Sequence, residues 1–226
     1  MRGVLARLVA DATLVAIALF ASAGTLSWWR AWVLLAALIV IRVITAIAVY
    51  RVNPVLLQER AKLPIHGDQP WTDKLLLLAI VITGFVGVPV VAGLDVFQWR
   101  LLPPSPPILA GLGLALFGLG WGIKGLALRA NAFATAVLRV QRERRHAVVD
   151  TGVYGIVRHP FYAGTPLVLV GLALWLESYI AALSAMVPIV LLVLRMRLEE
   201  RYLRHELPGY AEYTVRVPHR LLPGIW

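Results

Sequence analysis

Four apolar runs, at residues 4–23, 28–50, 74–94 and 108–128, constrain this chain more than anything else in it. Each meets the roughly 20 residues that a helix needs to cross the ~30 Å hydrocarbon core of a bilayer. Inside that core a segment must satisfy its own backbone hydrogen bonds, so runs of this length can only be helices. Two shorter runs follow, at 161–176 and 179–194, with only Glu177-Ser178 between them. At 1.5 Å per residue each reaches about 24 Å, which reads as a tight helical hairpin. A basic, amphipathic helix over 195–205 comes next. The expectation is an all-α, polytopic membrane protein with about four N-terminal spans plus a C-terminal helical hairpin and an amphipathic C-terminal helix. Residues 1–128 form the N-terminal transmembrane part, and 129–226 a region holding most of the polar side chains suited to chemistry.

Composition agrees. The chain is 60% hydrophobic and 15% charged, against about 45–50% and 25% in soluble domains. It has no cysteine, which excludes disulfides, thiolate metal sites and a cysteine nucleophile. The net charge of +10 lies between apolar spans. It is therefore read as topology and attraction to anionic membrane lipids, with no nucleic-acid partner. With the N-terminus on the cytoplasmic side, all but four of the 22 Lys and Arg fall inside. Arg30 and Arg100 are outside, and Arg42 and Lys124 lie within spans. The positive-inside rule then predicts both termini cytoplasmic. Arg2 and Arg7 before an apolar run, with Ala21-Ser22-Ala23 after it, resemble a signal peptide. Asp11 interrupts the run, however, and the run is long enough to span, so a retained helix is expected.

Several features between and within the runs carry specific expectations. Trp28, Trp29 and Trp32 suit a headgroup belt. Asn53-Pro54, Leu63-Pro64, Gln58, Glu59, Arg60, Lys62, His66, Asp68 and Asp73 read as a surface loop. Pro89 suggests a kink, and the prolines of 101–107 exclude helix there. Asp11 can pair with Arg7, four residues earlier. An ionisable residue within a span is a functional candidate by default. Lys124, close to its span's inner end, is expected to snorkel outward; Arg42 is left open. Gly120-Trp121-Gly122-Ile123-Lys124-Gly125 matches a dinucleotide pattern. It lies in a glycine-rich apolar run without a preceding strand, so close helix packing is the reading.

The C-terminal region holds two polar groupings. In Arg158-His159-Pro160-Phe161-Tyr162, the proline disfavours helix at His159 and suits the first helical position itself. Arg158 and His159 then stand at a helix N-terminus, suited to a carboxylate or phosphate, or equally to anchoring lipid headgroups. Glu199-Glu200 lies among Arg195, Arg197, Arg201 and Arg204. One reading is a solvated ladder, Arg195 with Glu199 and Glu200 with Arg204. The other is the acidic wall of a cleft for a mixed-charge ligand, with tyrosine faces for a cation or an adenine ring. His146, His159 and His205 lack metal-ligand spacing, and no metal is expected.

At these residues the chain resembles the isoprenylcysteine carboxyl methyltransferase family, within a wider group that includes phospholipid methyltransferases. The resemblance covers about residues 131–223. It rests on Asn131-Ala132-Phe133, then His146-Ala147-Val148-Val149-Asp150-Thr151-Gly152-Val153-Tyr154. Arg158-His159-Pro160-Phe161-Tyr162-Ala163-Gly164 follows, and then Arg195, Arg197, Glu199-Glu200, Leu203, Tyr210, Tyr213 and Arg216-Val217-Pro218. It implies S-adenosyl-L-methionine as methyl donor and a lipophilic small molecule or lipid as acceptor. The implied donor-binding residues are His146, Val148, Tyr154, Arg158, His159, Tyr162, Glu199 and Glu200. Arg195 or Arg197 would hold a carboxylate acceptor, and Glu200 would be the general base for an amine or hydroxyl. Two other readings stand beside it: an NADPH-dependent sterol-type membrane reductase, against which the acidic pair argues, and a non-enzymatic lipid-binding protein.

Overall fold

A computed structural model describes residues 2–62 and 69–226. Among them are helices and loops and no strand. The helices are α1 (Arg2–Ala23), α2 (Trp29–Tyr50), α3 (Pro54–Ala61), α4 (Trp71–Val81), α5 (Val88–Leu94), α6 (Pro107–Ala130), α7 (Pro160–Trp175), α8 (Tyr179–Ser184), α9 (Met186–Glu206) and α10 (Tyr210–Arg216). Five helical segments are long and apolar enough to cross a membrane: Arg2–Ala23, Trp29–Tyr50, Trp71–Trp99, Pro107–Ala130 and Tyr179–Glu206. The protein is an all-α, polytopic, integral membrane protein.

Three expectations need correcting. The third span is longer than predicted, because α4 and α5 join through a π-helical turn at Ile82–Gly87 and α5 continues into another at Asp95–Trp99. The i→i+5 bonds of the first turn stand just before Pro89, whose missing N–H interrupts the ordinary ladder. The amphipathic helix is not separate: α8 and α9 run on as one apolar segment through Ala185, and the basic part is its last three turns. The stretch read as a surface loop contains α3, whose Leu56 and Leu57 are buried against Val49 and Leu128. Leu63, Pro64, His66 and Asp68 lie outside the described residues.

The bundle has two chemically distinct ends. At one end Arg30 sits over the rings of Trp29 and Trp175 and pairs with Glu177 at 2.9 Å. Ser178 caps α8 and donates its hydroxyl hydrogen to Asp95 at 2.7 Å. At the other end the chain between α6 and α7 forms a polar cap with α3 and α10. The closest helix pair is α6 with α7. A Cβ at Gly113 would meet the Trp175 backbone N at 2.6 Å, and one at Gly120 the Gly164 carbonyl at 2.6 Å. This is the packing expected of the glycine run. Gly111, Gly118 and Gly122 face open space instead.

Candidate functional site

α7 begins at Pro160, as the sequence predicts, with His159 as its N-cap residue. The helix entry is then closed by the chain's final segment. The amides of Arg158 and His159 donate to the carbonyls of His219 and Arg220, and Arg158 Nη1 donates to the Val217 carbonyl at 2.7 Å. Arg158 Nε donates to Glu200 Oε1 at 2.7 Å, His159 Nε2 lies 3.2 Å from the same oxygen, and Arg220 Nε donates to Oε2 at 2.9 Å. Glu200 is therefore a buried counter-ion for the helix entry, not a wall of a cleft. Its oxygens are occupied, which removes the basis for expecting it to act as a general base.

Glu199, one residue earlier, is turned about 100° around α9 and borders a cavity of about 360 Å3. Its Oε2 accepts from the Tyr162 hydroxyl at 2.5 Å. That hydroxyl in turn accepts from Arg195 Nη1 at 2.7 Å. Arg195 also donates Nε to Asp73 Oδ1 at 2.7 Å and Nη2 to the Ala136 carbonyl at 2.7 Å. Asp73, assigned to a surface loop by the sequence, is 1% exposed in the first turn of α4. Asp73, Arg195, Tyr162 and Glu199 thus form one bonded chain across α4, α9 and α7. The solvated ladder of the acidic pair is absent: neither Glu199 with Arg195 nor Glu200 with Arg204 is joined. Each of the three nitrogens of Arg195 donates within the fold, so it orients Tyr162 rather than offering a free fork to a carboxylate. Arg197, two residues or about 200° further round the helix, is exposed and takes no part.

The cavity runs from the cap into the bundle. In the cap it is bordered by Asn131, Phe133, His146, Val148, Tyr154, Arg158, His159, Tyr162, Arg195, Glu199 and Tyr210. His146 stacks on Phe133 at 4.3 Å between ring centres, and the Gln141 amide lies 3.4 Å from its Nδ1. Burial, reinforced by Arg144, pushes the His146 pKa down to about 4, so the ring is neutral near pH 7. Burial also raises Tyr154 well above the ordinary phenol range. Within the bundle the same cavity meets Arg42, Ile80, Phe85, Trp121, Lys124, Val168 and Leu169. Asp11 bridges Arg7 at 2.9 Å, as expected, and Arg42 at 2.7 Å. Lys124 does not snorkel: it is 7% exposed, and its Nζ donates to Thr165 Oγ1 at 2.7 Å and the Phe161 carbonyl at 3.2 Å.

Of the residues named from sequence, His146, Val148, Tyr154, Arg158, His159, Tyr162, Arg195 and Glu199 border one cavity. Residues 109–208 match the model of the phospholipid methyltransferase family. Protein-S-isoprenylcysteine O-methyltransferase B of Arabidopsis thaliana is 37% identical over 110 residues, covering 45% of this chain and 56% of that protein. Cobalt-zinc-cadmium resistance protein CzcN of Cupriavidus metallidurans (strain ATCC 43123 / DSM 2839 / NBRC 102507 / CH34) is 29% identical over 98 residues, 43% of this chain and 45% of that protein. The chain spans about half the length of these curated relatives. The matched segment, 109–208, holds every cavity residue predicted from sequence. Asp73, Arg60, Arg42 and Arg220 stand outside it and were not singled out as site residues. Asp73 and Arg42 had one available signal, a charge at or within an apolar span.

Proposed function

We propose that the protein transfers a methyl group from S-adenosylmethionine to a lipophilic acceptor that enters from the bilayer at the cytoplasmic face. The observation that carries this reading is the continuity of the cavity, whose cap end is polar and charged and whose bundle end adds the apolar side chains of Ile80, Phe85, Val168 and Leu169 beside Arg42 and Lys124. A water-soluble donor and a membrane-dissolved acceptor need such a shared space.

The donor set fits S-adenosylmethionine. Glu199, with one oxygen on Tyr162 and the other without a partner among the described residues, would hold the ammonium or face the sulfonium. Arg158 Nη2 and His159 Nδ1 likewise have no partner among the described residues, and both side chains border the cavity. They would take the carboxylate. Val148, Tyr154 and the neutral His146 ring would line the adenosine side. When bound, the donor supplies a methyl group activated by a positive sulfonium. The chain's own contribution is to hold both partners in line and exclude water, chiefly a matter of proximity and orientation. Asp73 and Arg195 fix the Tyr162 hydroxyl, which fixes Glu199. Glu200 and Arg220 fix the helix entry from behind. Arg195 and Glu200 are thus positioning residues, and Arg197 has no part. Among acceptors, a prenylcysteine-like carboxylate or a phospholipid suits the apolar end.

Calorimetric titration of the purified protein with S-adenosylhomocysteine and, separately, NADPH tests this. Binding of the first and not the second is expected, with affinity about tenfold to a hundredfold weaker in Glu199→Gln, the range of a lost charge-assisted hydrogen bond. Binding of NADPH without S-adenosylhomocysteine would instead establish the reductase reading.

A further inference from the structure

The α8–α9 segment turns one continuous face away from the bundle. Leu183, Met186, Val187, Val190 and Leu194 are exposed, and at 100° per residue they fall within an arc of about 100°. Arg197, Arg201 and Arg204 continue that arc and are exposed as well. The apolar part advances about 16 Å from Leu183 to Leu194, close to the depth of one leaflet of a 30 Å hydrocarbon core. Arg197 stands about 4.5 Å further on. The stripe therefore turns cationic where a leaflet passes from chains to headgroups. α4 supplies the neighbouring surface. The Asp73–Arg195 pair ties α4 to α9 at one level. Trp71 precedes Asp73 by two residues and Arg197 follows Arg195 by two, and the helices are antiparallel, so both lie on the cap side of that pair. Trp71 is 70% exposed, and Leu75 and Leu78 follow it on the same outward face. An indole at that level suits the membrane interface. No carboxylate among the described residues pairs with Arg197, Arg201 or Arg204. Arg197 and Arg201 are four residues apart, so their Cβ atoms stand about 5–6 Å apart and the like charges oppose each other unless an anion joins them. A phosphate accepts from guanidinium forks in this way. Arg195 and Glu199 project from nearly the opposite side of α9, about 160–200° round from Arg197.

We propose that Arg197 and Arg201, with Arg204 and Trp71 beside them, hold the phosphate of an anionic phospholipid whose acyl chains lie along Val190, Leu194 and Leu78. The lipid is a bound component of the leaflet at the cap end. It sits on the face turned away from the cavity, so it is not a methyl acceptor, and the site stands apart from the methyltransferase reading. A bilayer lipid fits better than an acidic protein or a second copy of the chain, because the basic turn continues an apolar stripe of leaflet depth.

The purified protein in neutral detergent is given equal amounts of phosphatidylglycerol and phosphatidylcholine with identical chains, and retained lipid is read by native mass spectrometry. Each arginine at an anionic surface contributes about fivefold, so phosphatidylglycerol should be retained at least about tenfold over phosphatidylcholine. Arg197→Gln, Arg201→Gln and Arg204→Gln together should abolish that preference, and lysine at all three positions should keep most of it. Arg51→Gln, Arg129→Gln and Arg145→Gln together remove the same charge from exposed arginines off this face. That triple variant should keep the parent ratio. Equal loss in the two glutamine triples would reduce the preference to overall charge and overturn the proposal. Equal retention of the two lipids by the parent would overturn it too, as would displacement of phosphatidylglycerol by excess inorganic phosphate, or a lipid-free dimer that the α9 triple splits. The parent ratio needs no variant, so it tests the site even if a triple fails to fold. Titration with S-adenosylhomocysteine should give the parent affinity in the α9 triple; loss of both ligands together would place the stripe in the donor site and overturn the proposal.

Discussion

Replacing each glutamate of the acidic pair by glutamine should give opposite phenotypes, although the two residues are neighbours in the chain. Glu200 is 4% exposed and answers Arg158, His159 and Arg220, and the side chain of Arg158 is 3% exposed. Removing its charge leaves a buried guanidinium uncompensated, which costs about 3–5 kcal/mol. For a chain of this size that is on the order of a 10 °C fall in melting temperature. Glu199→Gln keeps an acceptor for the Tyr162 hydroxyl and leaves no buried cation unpaired. Its melting temperature should stay within about 2 °C of the parent, while affinity for S-adenosylhomocysteine falls about tenfold to a hundredfold. Thermal melts in detergent with and without ligand read both quantities on one sample. The reasoning fails if Glu200→Gln melts like the parent and loses the ligand while Glu199→Gln leaves binding intact.

Asp73→Ala should destabilise by about 3 kcal/mol or more and weaken donor binding, because Arg195 loses its buried carboxylate; the double variant Asp73→Leu with Arg195→Met should melt higher than Asp73→Ala alone, and a double-mutant cycle on melting temperature checks the coupling. The depressed His146 pKa, about 4 in the fold against about 6.5 unfolded, means that the unfolded chain takes up a proton which the folded chain refuses. His146 thus leaves stability intact above about pH 6.5 and erodes it as pH falls toward 4; His146→Gln should flatten that part of a stability-versus-pH curve. Gly120→Ala should cost about 1–3 kcal/mol by driving a methyl into the Gly164 carbonyl, whereas Gly122→Ala, facing open space, should be neutral or slightly stabilising in the same melts.

What could be read from the sequence divides along physical lines. Spans and helix entries depend on local patterns, such as some 20 apolar residues or a proline at the first helical position. These were legible at α1, α2, α6 and the start of α7. The ordered motifs name eight residues that border one cavity. Which of two adjacent glutamates faces a ligand depends on the rotation of α9, and nothing local reports it. Asp73 reads as loop polarity in the sequence because its partner Arg195 lies 122 residues away. The depth of Lys124 in its span predicts snorkelling, but the glycines that bring α6 against α7 turn it inward onto Thr165. The occupied helix entry was hidden for a similar reason: the carbonyls of Val217, His219 and Arg220 fill it from a distant segment.

Transfer of label from methyl-labelled S-adenosylmethionine tests the central claim most directly. The purified protein is incubated with the donor and a membrane lipid extract, and label is counted in the organic phase. Label should appear with the parent protein and fall at least tenfold with Glu199→Gln, in line with the affinity loss, while Arg197→Ala should retain it. A parent protein that binds no S-adenosylhomocysteine and leaves all label in the aqueous phase would contradict the account.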